Sequence, residues 1–190
     1  MTLDPRRGHQ SGLSRVTLLD QVAGLVPAGW ADDCVLIGVD GVDGSGKTTF
    51  ADELAAALYA AGRCTLRISV DDFHHVRDRR YRLGRESPEG FWLDSFDYER
   101  LHMDVLQPLG PGGSRRFRSK AHDLETDQVV WPERMAAPAG TVVVIDGLFL
   151  HRAELRDAWA FTIYLDVPFQ VTARRMAERD GSSPDPQHPS

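Results

Sequence analysis

The chain has 190 residues, 42% apolar and 26% charged, with a formal net charge of −6. That length suits a single domain with a sizeable core, and the ordinary composition excludes a disordered or fibrous chain. The acidic balance argues against broad nucleic-acid binding, which needs a basic footprint, and no apolar run approaches the roughly 18 residues of a membrane span.

Residues 1–12 read as a polar tail with no apolar signal core. Over 13–26, Leu13, Val16, Leu19, Val22 and Val26 fall near helical spacing, which predicts a short helix ended by Pro27 and Gly29. "CVLIGVD" (34–40) is a continuous apolar run before a glycine loop, as in a strand buried on both faces. "FADELAAALYAAG" (50–62) predicts a helix stopped by Gly62. Further strands are expected at 64–70, 141–146 and 161–167, the last with Phe161, Ile163, Leu165 and Val167 alternating. A helix is expected over 169–180. Strands alternating with helices imply parallel crossovers in a layered α/β fold. The long segment 73–138 is rich in Arg, Pro and Gly. It predicts one or two helices, 97–109 above all, within loops that carry function. Cys34 and Cys64 form no metal or redox spacing and read as two buried, reduced thiols, in keeping with a cytoplasmic compartment.

"GVDGSGKTT" (41–49) carries the strongest chemical signal. Gly41, Gly46, Lys47 and Thr48 have the spacing G-x-x-x-x-G-K-[ST], between a strand and a helix as a phosphate cradle requires. Gly41, Gly44 and Gly46 allow close backbone approach to an anion, and the amides from Asp43 through Ser45 to Thr49 line the cradle. Lys47 would reach terminal phosphates, and the Thr48 hydroxyl would sit on Mg²⁺. The second strand ends in "SVDDFHH" (69–75). Asp71 and Asp72 should project at the carboxyl end of the sheet, one as a proton acceptor or Mg²⁺ partner and the other in a turn or cap. Asp146, at the tip of the third strand, orients metal-bound water or caps the next helix. Two basic runs, 77–85 and 115–120, each contain an aromatic. They read as flaps over an anionic, aromatic small molecule or as solvated loops; the acidic total disfavours single-stranded nucleic acid.

With these pieces in order, the chain resembles the uridine kinase and phosphoribulokinase branch of P-loop kinases. "GVDGSGKTTFADELA", "SVDDFHH", "FDYERL", "PLGPGGSRRFR" and "VVVIDGLFL" carry the resemblance over most of residues 35–180. It implies a P-loop NTPase-type parallel sheet sandwiched by helices, with strand order second, third, first, fourth. The chain would divide into a tail and short helix (1–30), a kinase domain (31–180) with its substrate insertion at 73–138, and a mobile tail (181–190). It implies ATP and Mg²⁺ as cofactors, a small nucleoside-like acceptor, and Asp71 as base on the sugar 5′-hydroxyl. Asp97 would bind ribose hydroxyls, and His74 would wall the base pocket. Phe117 and His122, with Arg118 beside them, stand where a Tyr…His pair reads a pyrimidine; here the first is Phe. Arg175 and Arg179 match lid arginines. The residues by themselves leave other roles open: Asp97 as a helix cap, Phe117 in the core, His122 in a surface loop, and Arg174, Arg175 and Arg179 on a solvated face. Related kinases continue through a lid, another helix and a closing strand. The Pro- and Ser-rich end "ERDGSSPDPQHPS" therefore suggests a fragment or shortened frame lacking the last strand and part of the lid, or a sheet completed by a partner chain. That leaves a homo-oligomer open.

The expected reaction is transfer from ATP to a uridine- or cytidine-like hydroxyl. Pantothenate or a nicotinamide riboside are alternative acceptors. Rival readings are a nucleotide-binding module without turnover and a switch GTPase; the chain lacks an N-K-x-D base-reading motif.

Overall fold

The computed structural model describes residues 14–29 and 32–181. The predicted tails at 1–12 and 182–190, and Leu13, lie outside these residues.

Helix α1 (Arg15–Leu25) starts at Ser14, whose hydroxyl accepts the Thr17 N–H. Its packing stripe is Leu19, Val22, Ala23 and Val26, whereas Val16 is exposed. The helix is as expected, but its first turn faces solvent. Strand β1 (Val35–Gly41) is buried at every position. It is followed by α2 (Lys47–Ala60) and β2 (Thr65–Ser69). Gly62 ends α2 with φ +82 and returns its N–H to the Tyr59 carbonyl, a turn that suits glycine. A 3₁₀ turn (Val70–Phe73) extends β2. Short helices α3 (Arg77–Arg80) and α4 (Pro88–Asp94) follow.

The helix expected over 97–109 is a composite. It consists of α5 (Tyr98–Leu101), a π-helical turn (His102–Leu106) and α6 (Gln107–Leu109). Pro108 has no N–H for the carbonyl four residues back, that of Asp104. Arg118 N–H takes its place at 3.0 Å. Two antiparallel ribbons, not expected from the sequence, complete the insertion: β3 (Arg116–Phe117) with β6 (Met135–Ala136), and β4 (His122–Asp123) with β5 (Gln128–Val129). Strand β7 (Val142–Asp146), a 3₁₀ turn (Arg156–Ala158), β8 (Phe161–Leu165) and α7 (Phe169–Asp180) close the described chain.

The main sheet is parallel, in the order β2-β7-β1-β8, which is the predicted order. Its central strands, β1 and β7, are buried at every position and largely apolar because both of their faces are covered. Ile37, Val39, Val142 and Val144 pack on one side against Phe50, Leu54 and Leu58 of α2. Leu36, Val143 and Ile145 pack on the other against Val70, Phe73, Leu101, Val105 and Leu109. In β8, Phe161, Ile163 and Leu165 are half-buried while Thr162 and Tyr164 are exposed, as the alternation predicted. Both thiols are free, but only Cys34 is buried; Cys64 is exposed where α2 turns into β2, correcting the expectation of two buried thiols. Among the described residues no helix is long and apolar enough to cross a membrane.

The π-helical turn aims Asp104 inward, where its carboxylate accepts from Arg100 Nε at 2.8 Å and an Arg118 amine at 3.0 Å, with Arg134 at 3.7 Å. The Trp131 ring lies on the Arg100 guanidinium, 3.4 Å from its centroid. Removing a buried carboxylate strands the charges it matched. Asp104→Ala is expected to lower unfolding free energy by about 3–5 kcal/mol in urea denaturation; a loss below about 1 kcal/mol would show that solvent already screens the cluster.

Candidate functional site

The glycine loop leaves β1 at Gly41 and enters α2 at Lys47. Gly44 and Gly46 have φ of +73 and +90, a region that favours glycine. A Cβ on Gly44 would stand 2.8 Å from the Thr172 carbonyl oxygen, so α7 packs directly on the loop. Asp40 anchors the loop from behind: one oxygen accepts Gly41 N–H at 2.7 Å, the other His151 N–H at 3.1 Å. Asp43 accepts Gly44 N–H at 2.9 Å. The buried Ser45 hydroxyl has no hydrogen-bond partner among the described residues. These features fit a bound polyphosphate.

A cleft of about 510 Å³ opens over this loop at the carboxyl ends of the strands, within the range of small-molecule sites. Its floor holds Lys47, Thr48 and Asp146. Its far wall holds Asp71, His74, Phe91 and Phe96, and its near rim Arg175 and Arg179 of α7. Lys47 Nζ donates to the Val42 carbonyl at 3.0 Å, across the loop. Burial lowers its pKa, opposed by Asp43, Asp71, Asp40 and Asp146. Thr48 donates its hydroxyl to Asp146 Oδ2 at 2.8 Å. The other Asp146 oxygen accepts from Arg67 at 2.8 Å, and this carboxylate's side chain is only 3% exposed. Arg67 also donates to the Val144 carbonyl and to Asp52, so it holds the Asp146 carboxylate in a fixed orientation.

Asp71 and Asp72, both expected to project toward the crevice at the carboxyl end of the sheet, separate. Asp71 lines the cleft, while Asp72 lies outside it, 3.9 Å from Lys120. Ser69 accepts Asp71 N–H and starts the 3₁₀ turn that presents this acid. Although Asp71 reaches solvent on the open side, lost hydration in the cleft raises its pKa. His74 and Lys47 oppose the rise; Asp146 and Asp43 add to it. Burial lowers the His74 pKa, opposed by the hydrogen bond to the Asp71 carbonyl and by the Asp71 charge. Its Nδ1–H donates to the Asp71 carbonyl at 2.7 Å, which leaves Nε2 as an acceptor. Its ring stacks obliquely on Phe96, with centroids 4.4 Å apart. Phe149, in a left-handed conformation at φ +64, turns the chain after β7 so that its ring meets Phe91, Trp92 and Phe96.

Other residues expected in the acceptor site lie elsewhere. Asp97 caps α5 by accepting Arg100 N–H at 3.0 Å, with its second oxygen 3.6 Å from His75. Phe117 is a core residue. His122 is 1% exposed and bonded to Asp127 at 3.1 Å, not a loop histidine. Arg118 is engaged by Asp104 and the Pro132 carbonyl. Arg175 donates to the Gly44 and Ser45 carbonyls at 3.3 Å. Arg179 pairs with Asp180 at 2.7 Å and approaches Asp43 at 3.5 Å. Arg174 is solvated, facing Glu178. Arg67, Asp40 and Phe91 were missed by sequence reasoning. For Arg67 and Asp40 the available signal was a charge inside an apolar strand, which must be paired to be buried.

Comparison with known proteins agrees with this geometry. The family profile described as AAA domain matches residues 37–188. The uridine kinase of Leuconostoc citreum is 24% identical over 155 residues, which span 77% of this chain and 68% of that enzyme. The phosphoribulokinase of a Synechocystis strain is 32% identical over 154 residues, which span 78% of this chain but only 42% of that enzyme. A solved structure from Bacillus stearothermophilus, described as a possible uridine kinase, superposes with a TM-score of 0.68 at 26% identity, covering 84% of this chain and 83% of that one. A glycine loop between β1 and α2, a paired Thr48 and Asp146, and the profile match over 37–188 lead to one conclusion: the chain belongs to the AAA-domain family, and its similarities are consistent with the uridine kinase and phosphoribulokinase branch of P-loop kinases.

Proposed function

We propose that the chain is an ATP-dependent phosphotransferase acting on the primary hydroxyl of a small molecule, with the 5′-hydroxyl of a pyrimidine nucleoside as the first acceptor to test. The observation that carries this reading is the convergence of Lys47, Thr48, Asp146, Asp71 and Arg175 on one cleft. Phosphoryl transfer needs positioning and charge neutralisation more than covalent chemistry from the protein. The glycine-loop amides would hold the phosphates. Lys47 would exchange the Val42 carbonyl for terminal phosphate oxygens. Asp71 would accept the proton of the attacking hydroxyl, and Arg175 would meet charge on the transferred group.

Thr48 and Asp146 suit Mg²⁺, an ion that keeps several waters and takes one or two protein ligands plus phosphate oxygens. Among the described residues no group of three His, Cys, Asp or Glu forms a protein cage. When bound, Mg²⁺ would neutralise the β- and γ-phosphate oxygens. A second groove, beyond Gly46 and Arg175 and bordered by Arg15, Leu18, Phe50 and Tyr164, is the place we assign to the donor's base. A cytoplasmic location and small molecules, rather than nucleic acid, as partners belong to the same proposal.

A second acceptor class, such as pantothenate or a nicotinamide riboside, is favoured by one observation. The two residues implied to read a pyrimidine, Phe117 and His122, are both buried away from the cleft. ADP release from Mg·ATP with a nucleoside panel tests the first reading. Turnover with uridine or cytidine well above the rate without acceptor is expected. Tight ATP binding without turnover on any acceptor would instead make the chain a nucleotide-binding module.

A further inference from the structure

Behind the far wall of the cleft lies a recess of about 100 Å³, lined by His74, Arg80, Tyr81, Arg85, Phe91 and Ser95. His74 and Phe91 belong to both walls, so the recess continues the side of the cleft that holds Asp71. No carboxylate lines it. The Arg80 side chain is only 13% exposed, and its Nε is buried with no hydrogen-bond partner. Arg80 does meet Asp127, at 3.5 Å through a terminal amine, but that carboxylate is shared with Arg77 N–H and His122. Arg82 is taken by Asp94. Arg85 has no ion pair among the described residues and rests over the Tyr81 ring, 5.4 Å from its centroid, with Arg80 at 5.5 Å from the same ring. Two guanidinium groups thus border a space that holds a few water volumes, of about 30 Å³ each. That is too little for a nucleobase with its sugar.

We propose that this recess reads an anionic group of the acceptor, so that the substrate is a hydroxyl compound carrying a phosphate or a carboxylate. The inference rests on the phosphotransferase reading and narrows it. Planar guanidinium groups suit both anions, bidentately and with charge. The first basic run of the sequence, 77–85, would then be a recognition element, while in the second Arg118 is committed to Asp104, Arg115 to the Asp32 carbonyl and Lys120 to Asp123.

The test is ADP release from Mg·ATP with matched acceptors: fructose 6-phosphate beside fructose, pantothenate beside panthenol, glycerate beside glycerol, and uridine. An anionic member should exceed its neutral counterpart in kcat/KM by about tenfold or more, the scale of one charge-assisted contact. The phosphate and carboxylate arms identify which anion is read. Arg85→Gln should raise KM for that acceptor by about tenfold with little change in kcat, and Arg85→Lys should recover part of the loss. Arg85 is solvent-facing, so this variant guards against misfolding in the more buried Arg80→Gln. Turnover of uridine or a neutral acceptor with no gain from the anion, and no KM change in Arg85→Gln, would overturn the inference and leave the kinase reading intact. If no acceptor turns over, calorimetry of fructose 6-phosphate and pantothenate with the Mg·ADP-loaded protein decides. Binding weakened in Arg85→Gln supports the recess and removes the kinase reading; no binding overturns the recess.

Discussion

Asp71→Asn is expected to reduce kcat by about 10²- to 10⁴-fold while leaving ATP affinity nearly unchanged, the range over which a positioned general base acts. The amide keeps the size and the Ser69 cap but cannot accept the proton of the attacking hydroxyl. Asp71 stands on the far wall of the cleft, across from the Gly44–Thr49 cradle, so donor binding does not depend on it. A pH profile provides an independent check. Lost hydration raises the Asp71 pKa, with Asp146 and Asp43 adding to the rise. The base must be ionised, so kcat/KM should rise with pH through an apparent pKa above the ordinary value of about 3.9 and then level off. That acid limb should vanish in the variant. Near-normal turnover of Asp71→Asn, or an unchanged acid limb, would remove Asp71 as the base.

Lys47→Ala should weaken both binding and catalysis, because the same ammonium meets the phosphates before and during transfer. Removing one preorganised donor to developing charge lowers kcat by about 10²- to 10³-fold, and a comparable loss of MgATP affinity should appear in calorimetry. The glycine loop itself should survive, since Asp40, Asp43 and the close packing of Gly44 on α7 hold it without the lysine. A variant that keeps full ATP affinity would mean that the Lys47–Val42 contact at 3.0 Å is a resting structure that persists in the complex. The two variants would separate the proposed roles, Asp71 on the acceptor and Lys47 on the donor.

Much of this was legible before any tertiary contact was known. Strand β1, the loop, α2 and the tips of β2 and β7 are set by short stretches whose apolar runs and glycines leave few alternatives. The parallel direction of the strands follows from crossover rules, and their order is what the family resemblance implied. Thr48 and Asp146, 98 residues apart, meet at 2.8 Å because β1 and β7 are neighbours whose carboxyl ends share one edge. The insertion at 73–138 was not legible to the same degree. Its ribbons are two residues long, and its helix is broken by a π-helical turn, for which period and propensity carry no signal.

The sequence by itself therefore determined the phosphate cradle, the layered sheet and the identity of Asp71 and Asp146 as cleft acids, because each depends on local spacing joined to a simple topology. Only the tertiary structure decided which insertion side chains face the cleft. It buried Phe117 and His122, used Asp97 as a helix cap, tied Arg118 to Asp104, and brought Phe91, Arg80 and Arg85 to the wall behind His74. The physical reason is that an aromatic or an arginine in a loop is compatible with core, surface or site. Which it becomes is settled by the non-local packing of the segment and by which buried charges find partners.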